Sequence, residues 1–361
     1  MKKVLVGFIQ DGRHSGIDKY LLSVCSVAHR NGIRLDFLTT EKTKEMSEIL
    51  GNMNFGLFEI PSLKNPLKQY RKIKKIIKKG GYDGVYLNIS EAFNCMGLIA
   101  AKTEKVPVRI VHSHASGVDR KNKYVRLFRT ALNRLFKCFV TSAATRRLAP
   151  SSVAGEWLFC KDYEIVYNAV DGEKFKFNEA ARQKKRKELE IENKKVFIHI
   201  GNFCYAKNHY FLMDVMKKIV EKDKNVCLLA VGTGYDFDNV CKYASKIGID
   251  KNVKFLGVRQ DVAELFSASD MFIFPSRFEG LSIACVEAQF SGLPCILSDS
   301  IAYETKIAEN TVFLPTDNAA VWAETVLKSI DKRVSAKLYS DVTRKFDISN
   351  QKEQLLDVLR S

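Results

Sequence analysis

Two rhythms of apolar and polar positions alternate along the chain. Short, wholly apolar runs end at Gly, Pro, Asn or Asp, and between them lie longer stretches whose apolar positions recur at helical spacing. Val4–Ile9, Arg34–Thr39, Leu57–Ile60, Tyr82–Ile89 and Val108–Val111 read as strands, and Phe139–Val140 as a further short one. Lys19–Asn31 and Leu67–Lys79 read as helices between them; the second turns Leu67, Tyr70, Ile73, Ile76 and Ile77 inward and its lysines outward. From Val196 the pattern begins again. Val196–Gly201, Val226–Val231, Val253–Gly257, Met271–Phe274, Cys295–Leu297 and Val312–Leu314 read as strands. A charged helix is expected over Asn178–Lys195, and helices over Phe211–Glu221, Leu281–Phe290, Asn318–Ile330, Ala336–Arg344 and Ile348–Leu359. Strand and helix alternating twice over predicts two α/β domains with parallel sheets.

The stretch from Asp270 to Ser300 carries the most chemistry. A buried strand ends at Pro275-Ser276, Glu279 and Gly280 follow in the loop, and a helix then carries Glu287. In open α/β sheets, ligands bind beyond the carboxyl ends of the strands. A helix start there offers N–H groups and positive dipole to an anion such as a diphosphate. Carboxylates beside it accept hydrogen bonds from hydroxyl groups. The pattern therefore suits a phosphate flanked by sugar hydroxyls. Another loop of this kind is Gly201–His209, where Lys207-Asn208 precedes a helix and supplies a point charge. Asp11–Asp18 is a third loop between strand and helix; its Gly16 allows backbone to approach a phosphate, and equally suits a plain turn.

The segment PSRFEGLSIACVEAQFSGLP resembles the E-x7-E signature of the retaining GT-B glycosyltransferases of family 4. The likeness runs through nearly the whole chain, strongest over 196–300 and weakest over 1–150. It implies a GT-B fold, with two Rossmann-like doubly wound domains facing across a cleft. Residues 1–170 would form the acceptor-side domain and 171–344 the nucleotide-sugar-binding domain, with a helix of about 345–361 crossing back to the first. It implies transfer of a hexose or N-acetylhexosamine, with retention, from a nucleotide-sugar, UDP-sugars favoured. The acceptor would be a lipid-linked saccharide of exopolysaccharide, capsule or other cell-surface glycan synthesis. By the same resemblance Glu279 holds the donor sugar and Glu287 the ribose. Gly16, Asn208, Phe278, Gly280, Leu281 and Ser282 are expected to bind the donor, with Lys207 and the helix start after Gly280 supplying charge to the diphosphate. The block Gly257-Val258-Arg259 receives the nucleobase. VRIVHSHAS resembles the segment that brings a histidine to the donor sugar, implying His114, with His112 as the alternative. The chain departs from the family at Ser15-Gly16 for a double glycine, at Asn168-Ala169 for Asn-Gly, and at Asn202 for an arginine, which removes one expected cation.

Composition narrows the partners. The 361 residues carry a net charge of +17, and residues 1–170 hold 29 basic against 14 acidic side chains, nearly the whole excess. The first half thus faces something anionic. In the 118–147 stretch Val125, Leu127, Phe128, Ala131, Leu132 and Leu135 alternate with Arg126, Arg129, Arg134 and Lys137. Such a helix lies in a membrane interface or packs its apolar face inward. A cytoplasmic enzyme, peripheral on the inner face of the membrane, is the expectation. No run of 18 apolar residues suggests a membrane span, and the opening Met1–Ile9 reads as a strand rather than a leader. Nine scattered cysteines, odd in number and without C-x-x-C, fit neither a zinc site nor a disulfide framework. For a transferase of this kind neither metal nor other cofactor is expected. Two rival readings remain. A GT-B phosphorylase or sugar-nucleotide epimerase would turn over with phosphate or without an acceptor. A nucleic-acid-binding protein would need a recognisable module, which is lacking, so no nucleic-acid partner is expected.

Overall fold

The computed structural model of the chain describes residues 2–8, 16–330, 333–334 and 343–360. It separates into two compact units, one of Met1–Val118, Lys123–Ala169 and Ile348–Ser361, the other of Asp119–Asn122 and Val170–Asp347.

The first unit runs β1 (Lys3–Gly7), α1 (Gly16–Arg30), β2 (Arg34–Thr39), α2 (Lys44–Asn52), β3 (Gly56–Glu59), α3 (Pro66–Gly80), β4 (Gly84–Ile89), α4 (Met96–Thr103), β5 (Val108–Ser113), α5 (Lys123–Ala143), β6 (Arg146–Ala149), α6 (Ser152–Leu158) and β7 (Glu164–Ile165). Its seven-stranded parallel sheet has the order β3-β2-β1-β4-β5-β6-β7. The winding reverses between β1 and β4, and that switch point is where a doubly wound sheet opens a crevice. Helices cover both faces. On one, Tyr20, Leu21, Val24 and Ala28 of α1 pack with Leu355, Val358 and Leu359 of a helix from the far end of the chain, Ile348–Arg360. On the other, Ile73, Ile76 and Ile77 of α3 pack with Leu98 and Ala101 of α4 and Val140 of α5.

The second unit runs α7 (Gly172–Phe175), α8 (Glu179–Glu188), β8 (Lys195–Ile200), α9 (His209–Lys222), β9 (Val226–Val231), α10 (Phe237–Lys246), β10 (Val253–Gly257), α11 (Val262–Ala268), β11 (Met271–Phe274), α12 (Ile283–Phe290), β12 (Cys295–Ser298), β13 (Thr311–Leu314) and α13 (Ala319–Ser329), after which α14 is the Ile348–Arg360 helix of the first unit. Its six parallel strands lie in the order β10-β9-β8-β11-β12-β13, with the switch point between β8 and β11. The central strands are apolar throughout because both faces are covered: β9 and β11 expose no residue. Side-chain caps fix several helix starts, as at Asn178 on α8 and Asn318 on α13.

Four expectations change. Phe139–Val140 is not a strand but lies inside α5, because Phe136, Phe139, Val140 and Ala143 are spaced as one helical face. The strand belonging there is β6, just beyond the helix. The charged helix expected over Asn178–Lys195 stops at Glu188, and β8 already begins at Lys195. Gly16 opens α1 rather than lying in the loop before it. Asp11–Ser15 and residues 336–342 lie outside the described residues; the remainder of the helix expected over 336–344 falls where Thr343–Phe346 forms a 3-10 turn.

Candidate active site

In the second unit, the loops that leave β8 and β11 meet at the switch point. Lys207, at the end of the loop after β8, places its Nζ 2.5 Å from Glu279 Oε1, in the loop after β11. The same Nζ lies 4.7 Å from the centre of the Phe274 ring. Both charged side chains are more than four-fifths buried. Burial lowers the affinity of Lys207 for its proton, but the Glu279 carboxylate outweighs it and the net shift is upward. Lys207 is therefore a permanent cation. Arg277 N donates to Ala206 O at 2.7 Å and ties the two loops together, and Ala206 N donates to Asp119 Oδ1 at 3.0 Å.

Glycines let these loops close on one another. A Cβ on Gly201 would stand 3.1 Å from Cδ and Cε of Lys207, so the lysine stem lies directly against that glycine. A Cβ on Gly232, whose φ is +132°, would come within 2.2 Å of Gly201 O. Gly232 N in turn donates to Gly257 O at 2.8 Å. The loops after β8, β9 and β10 thus stack at one end of the sheet, and Gly257 joins the neighbourhood of Lys207 by this route. Asn208 takes the left-handed conformation, φ 58°, and starts α9.

Beyond Glu279, Gly280, Leu281 and Ser282 are buried, and Ser282 makes no side-chain cap to α12. The first-turn N–H groups of that helix are therefore not taken up by the residue that usually caps them. Glu287 lies in α12, 4% exposed. Phe278 is half-buried, and Val258 is exposed. The Arg259 guanidinium is held by Asp261 through bonds of 2.8 and 2.6 Å.

In the first unit, His114 follows β5, beside the β1/β4 switch point. Asn88 Nδ2, from β4, donates to Gly7 O at 3.0 Å, which turns its Oδ1 toward His114 Nε2 at 2.8 Å. Because that oxygen only accepts, His114 carries its proton on Nε2 and leaves Nδ1 as an acceptor. Burial pushes its pKa down to about 3. His112 is wholly buried; its Nδ1 meets Tyr86 Oη at 2.8 Å, and that hydroxyl meets Tyr20 Oη at 2.7 Å. Burial, then the neighbouring His114, hold His112 well below the ordinary histidine range. Of the two histidines, His114 is the one at the rim.

Sequence reasoning passed over Asn88, Phe274, Gly201 and Asp119. Asn88 was legible as a polar residue near the end of an apolar strand; the other three make sense only through contacts with residues distant in the chain. Among the described residues no group of three or more His, Cys, Asp or Glu side chains is placed to hold a metal ion.

Known proteins share this arrangement of two sheets. The family model described as "Glycosyl transferases group 1" matches residues 181–345. EpsF of Bacillus subtilis (strain 168), named as a glycosyltransferase, is 28% identical over 87% of this chain and 84% of its own. The capsular polysaccharide biosynthesis glycosyltransferase CapH of Staphylococcus aureus is 26% identical over 90% of this chain and 89% of its own. Residues 181–345 thus match the group 1 glycosyltransferases. A third relative, from Escherichia coli, is the UDP-Gal:alpha-D-GlcNAc-diphosphoundecaprenol alpha-1,3-galactosyltransferase; it is 30% identical over 66% of this chain and 63% of its own. Among solved structures, Anabaena Alr3699/HepE in complex with UDP-glucose superposes with a TM-score of 0.80 over 100% of this chain and 99% of that one, at 17% identity. The fold of this glycosyltransferase is accordingly GT-B, and its relatives include enzymes of capsule and polysaccharide biosynthesis.

Proposed function

We propose that this glycosyltransferase moves a hexose or N-acetylhexosamine from a nucleotide-sugar, a UDP-sugar by preference, to a lipid-linked saccharide, with retention at the anomeric carbon, in the synthesis of a cell-surface polysaccharide. The observation that carries the reading is the β8/β11 switch point, where the buried cation Lys207 meets the Glu279 carboxylate shortly before α12, whose start lacks a side-chain cap and which carries the buried Glu287. A departing nucleoside diphosphate needs positive charge as the glycosidic bond breaks, and Lys207 with the α12 N–H groups supplies it. Glu279 orients the donor sugar, Glu287 accepts the ribose hydroxyls, and Gly257–Arg259 offers backbone to the base. His114, neutral and with Nδ1 free of its proton, accepts a hydrogen bond from a sugar hydroxyl. UDP and UDP-glucose in the HepE structures, and the diphosphoundecaprenol acceptor in the name of the Escherichia coli relative, support the choice of donor and acceptor classes.

A lipid-linked acceptor is met at a membrane, and α5 supports docking there. Leu127, Phe128 and Leu135 are 58%, 64% and 73% exposed, which departs from a helix packing its whole apolar stripe inward. Basic residues flank them, and anionic lipid attracts each by ~1 kcal/mol near the surface. Among the described residues no helix is long and apolar enough to cross a membrane. The test is a thermal-shift panel of UDP-, GDP- and ADP-sugars, followed by transfer to a diphosphoprenyl saccharide. A ligand that binds only the folded state raises its melting temperature. Stabilisation by UDP-sugars and acceptor-dependent release of UDP support the reading. Release that needs phosphate, or product formed without acceptor, overturns it in favour of a phosphorylase or epimerase.

A further inference from the structure

The first unit carries a pair of sulfur atoms that the transfer reaction does not use. Cys138 on α5 and Cys160, just beyond α6, place their Sγ atoms 3.0 Å apart, with both residues exposed. All nine cysteines lie among the described residues, and the other seven are buried or half-buried. The approach is built from both sides. Asn133 Nδ2 donates to Trp157 O at 2.9 Å, Lys137 Nζ donates to Glu156 O, and Cys160 N donates to Thr141 Oγ1 at 2.9 Å. Past Cys160, Arg147 Nε donates to Asp162 O at 2.6 Å. The segment 156–162 is therefore strapped along α5, and Cys160 is held opposite Cys138 with backbone bonds on either side.

We propose that Cys138 and Cys160 are a thiol–disulfide site, oxidised to an intramolecular disulfide by a peroxide or by exchange with a small-molecule disulfide. A disulfide has sulfurs about 2.05 Å apart, so closure needs an approach of roughly 1 Å, which side-chain rotation supplies. With hydrogen peroxide, one thiolate attacks a peroxide oxygen, giving a sulfenic acid and hydroxide. The second thiol then displaces water from the sulfenic sulfur. The two sulfurs lose two electrons and two protons together, and the peroxide becomes two waters. With a small-molecule disulfide, two exchanges through a mixed disulfide release two small thiols. The Cys160 sulfur, through its hydrogen bond and its charge, raises the Cys138 thiol above the ordinary cysteine range, because two thiolates this close repel. The product staples the second half of α5, the helix with the exposed apolar stripe, to the segment after α6.

The test exposes the full chain to graded oxidised glutathione, and separately to hydrogen peroxide, alkylates the remaining thiols, digests without reduction and maps the peptides by mass spectrometry. The expected result is a Cys138–Cys160 linked peptide that appears at lower oxidant than modification of any other cysteine and disappears with dithiothreitol. Cys138→Ser and Cys160→Ser, both at exposed positions, should each lose the link and carry a glutathione adduct on the remaining cysteine. Separate adducts on both cysteines of the unaltered chain, both thiols staying fully alkylatable, or a link formed only between two chains would each overturn the proposal.

Discussion

Lys207 and Glu279 are 72 residues apart in the chain, and their side chains meet at 2.5 Å. The pair joins the two loops of the second unit's switch point and gives each a role that depends on the other. Lys207→Met removes the buried cation and leaves Glu279 without its counter-charge, which costs on the order of 3 kcal/mol of stability. Loss of a charged hydrogen bond is worth about 1.5–3 kcal/mol, so UDP affinity should fall about ten-fold or more in isothermal titration. Glu279→Gln frees the ammonium for the diphosphate. UDP should bind as well as before or better, while transfer should fall by about two orders of magnitude. Weaker UDP binding by Glu279→Gln would refute this division of labour.

Glu287 and Arg259 should separate in the opposite sense from what charge alone suggests. Glu287→Gln replaces the buried carboxylate proposed to accept ribose hydroxyls, and UDP affinity should drop about ten-fold, again from a charged hydrogen bond. Arg259→Ala removes a guanidinium already held by Asp261, which itself lies well below the usual carboxylate range because of Arg259 first and Lys185 second. This variant should lose stability and keep UDP affinity within about three-fold. Unchanged UDP binding in folded Glu287→Gln would remove Glu287 from the donor site.

The buried histidines set an acid limit. His114 and His199 are lowered by burial to about 3 and about 4, against 6.5 unfolded. A group depressed in the folded state takes its proton more readily when unfolded. Its stabilising contribution is complete above pH about 6.5 and is lost as pH falls toward the folded value. The melting temperature should therefore decline steadily from pH 6.5 to pH 4. His114→Gln should flatten that decline while lowering transfer at every pH, since His114 stays neutral throughout. A transfer rate that follows a pKa near 6.5 and loses that dependence in His114→Gln would show that the ring titrates.

Docking through α5 is tested by co-sedimentation with vesicles. The full chain should pellet with anionic vesicles, less with neutral ones, and less as salt rises, because salt screens the attraction. Replacing Leu127, Phe128 and Leu135 with Ser should release it, as should Arg134→Glu together with Arg126→Glu. Arg129 is a poor choice, since Glu91 holds its guanidinium and the ring of Phe93 lies beneath it. UDP binding should survive in all of these variants. Equal binding to neutral and anionic vesicles would dismiss the electrostatic part of the mechanism.

Local pattern was enough for most of the architecture. Val226–Val231 and Met271–Phe274 announce themselves as strands because a strand buried on both faces must be apolar throughout. Lys207 and Glu279 stand out because they lie in loops after such strands, where α/β sheets bind ligands, and Glu287 because it is an acid on the helix eight residues beyond Glu279. The elements that escaped notice have local reasons too. Arg146–Ala149 carries two arginines on a strand near the sheet edge, and Phe139–Val140 imitates a strand while obeying the period of α5. Chain separation hid the rest. No periodicity places Lys207 against Glu279, Gly232 against Gly201, Asn88 against His114, or Cys138 beside Cys160, because each contact is made by elements that the sheet order brings together. Whether the apolar stripe of α5 packs inward or faces out is likewise undetermined by its spacing, since both outcomes have the same helical period. Packing alone settled that Leu127, Phe128 and Leu135 are left uncovered while Val140 is buried.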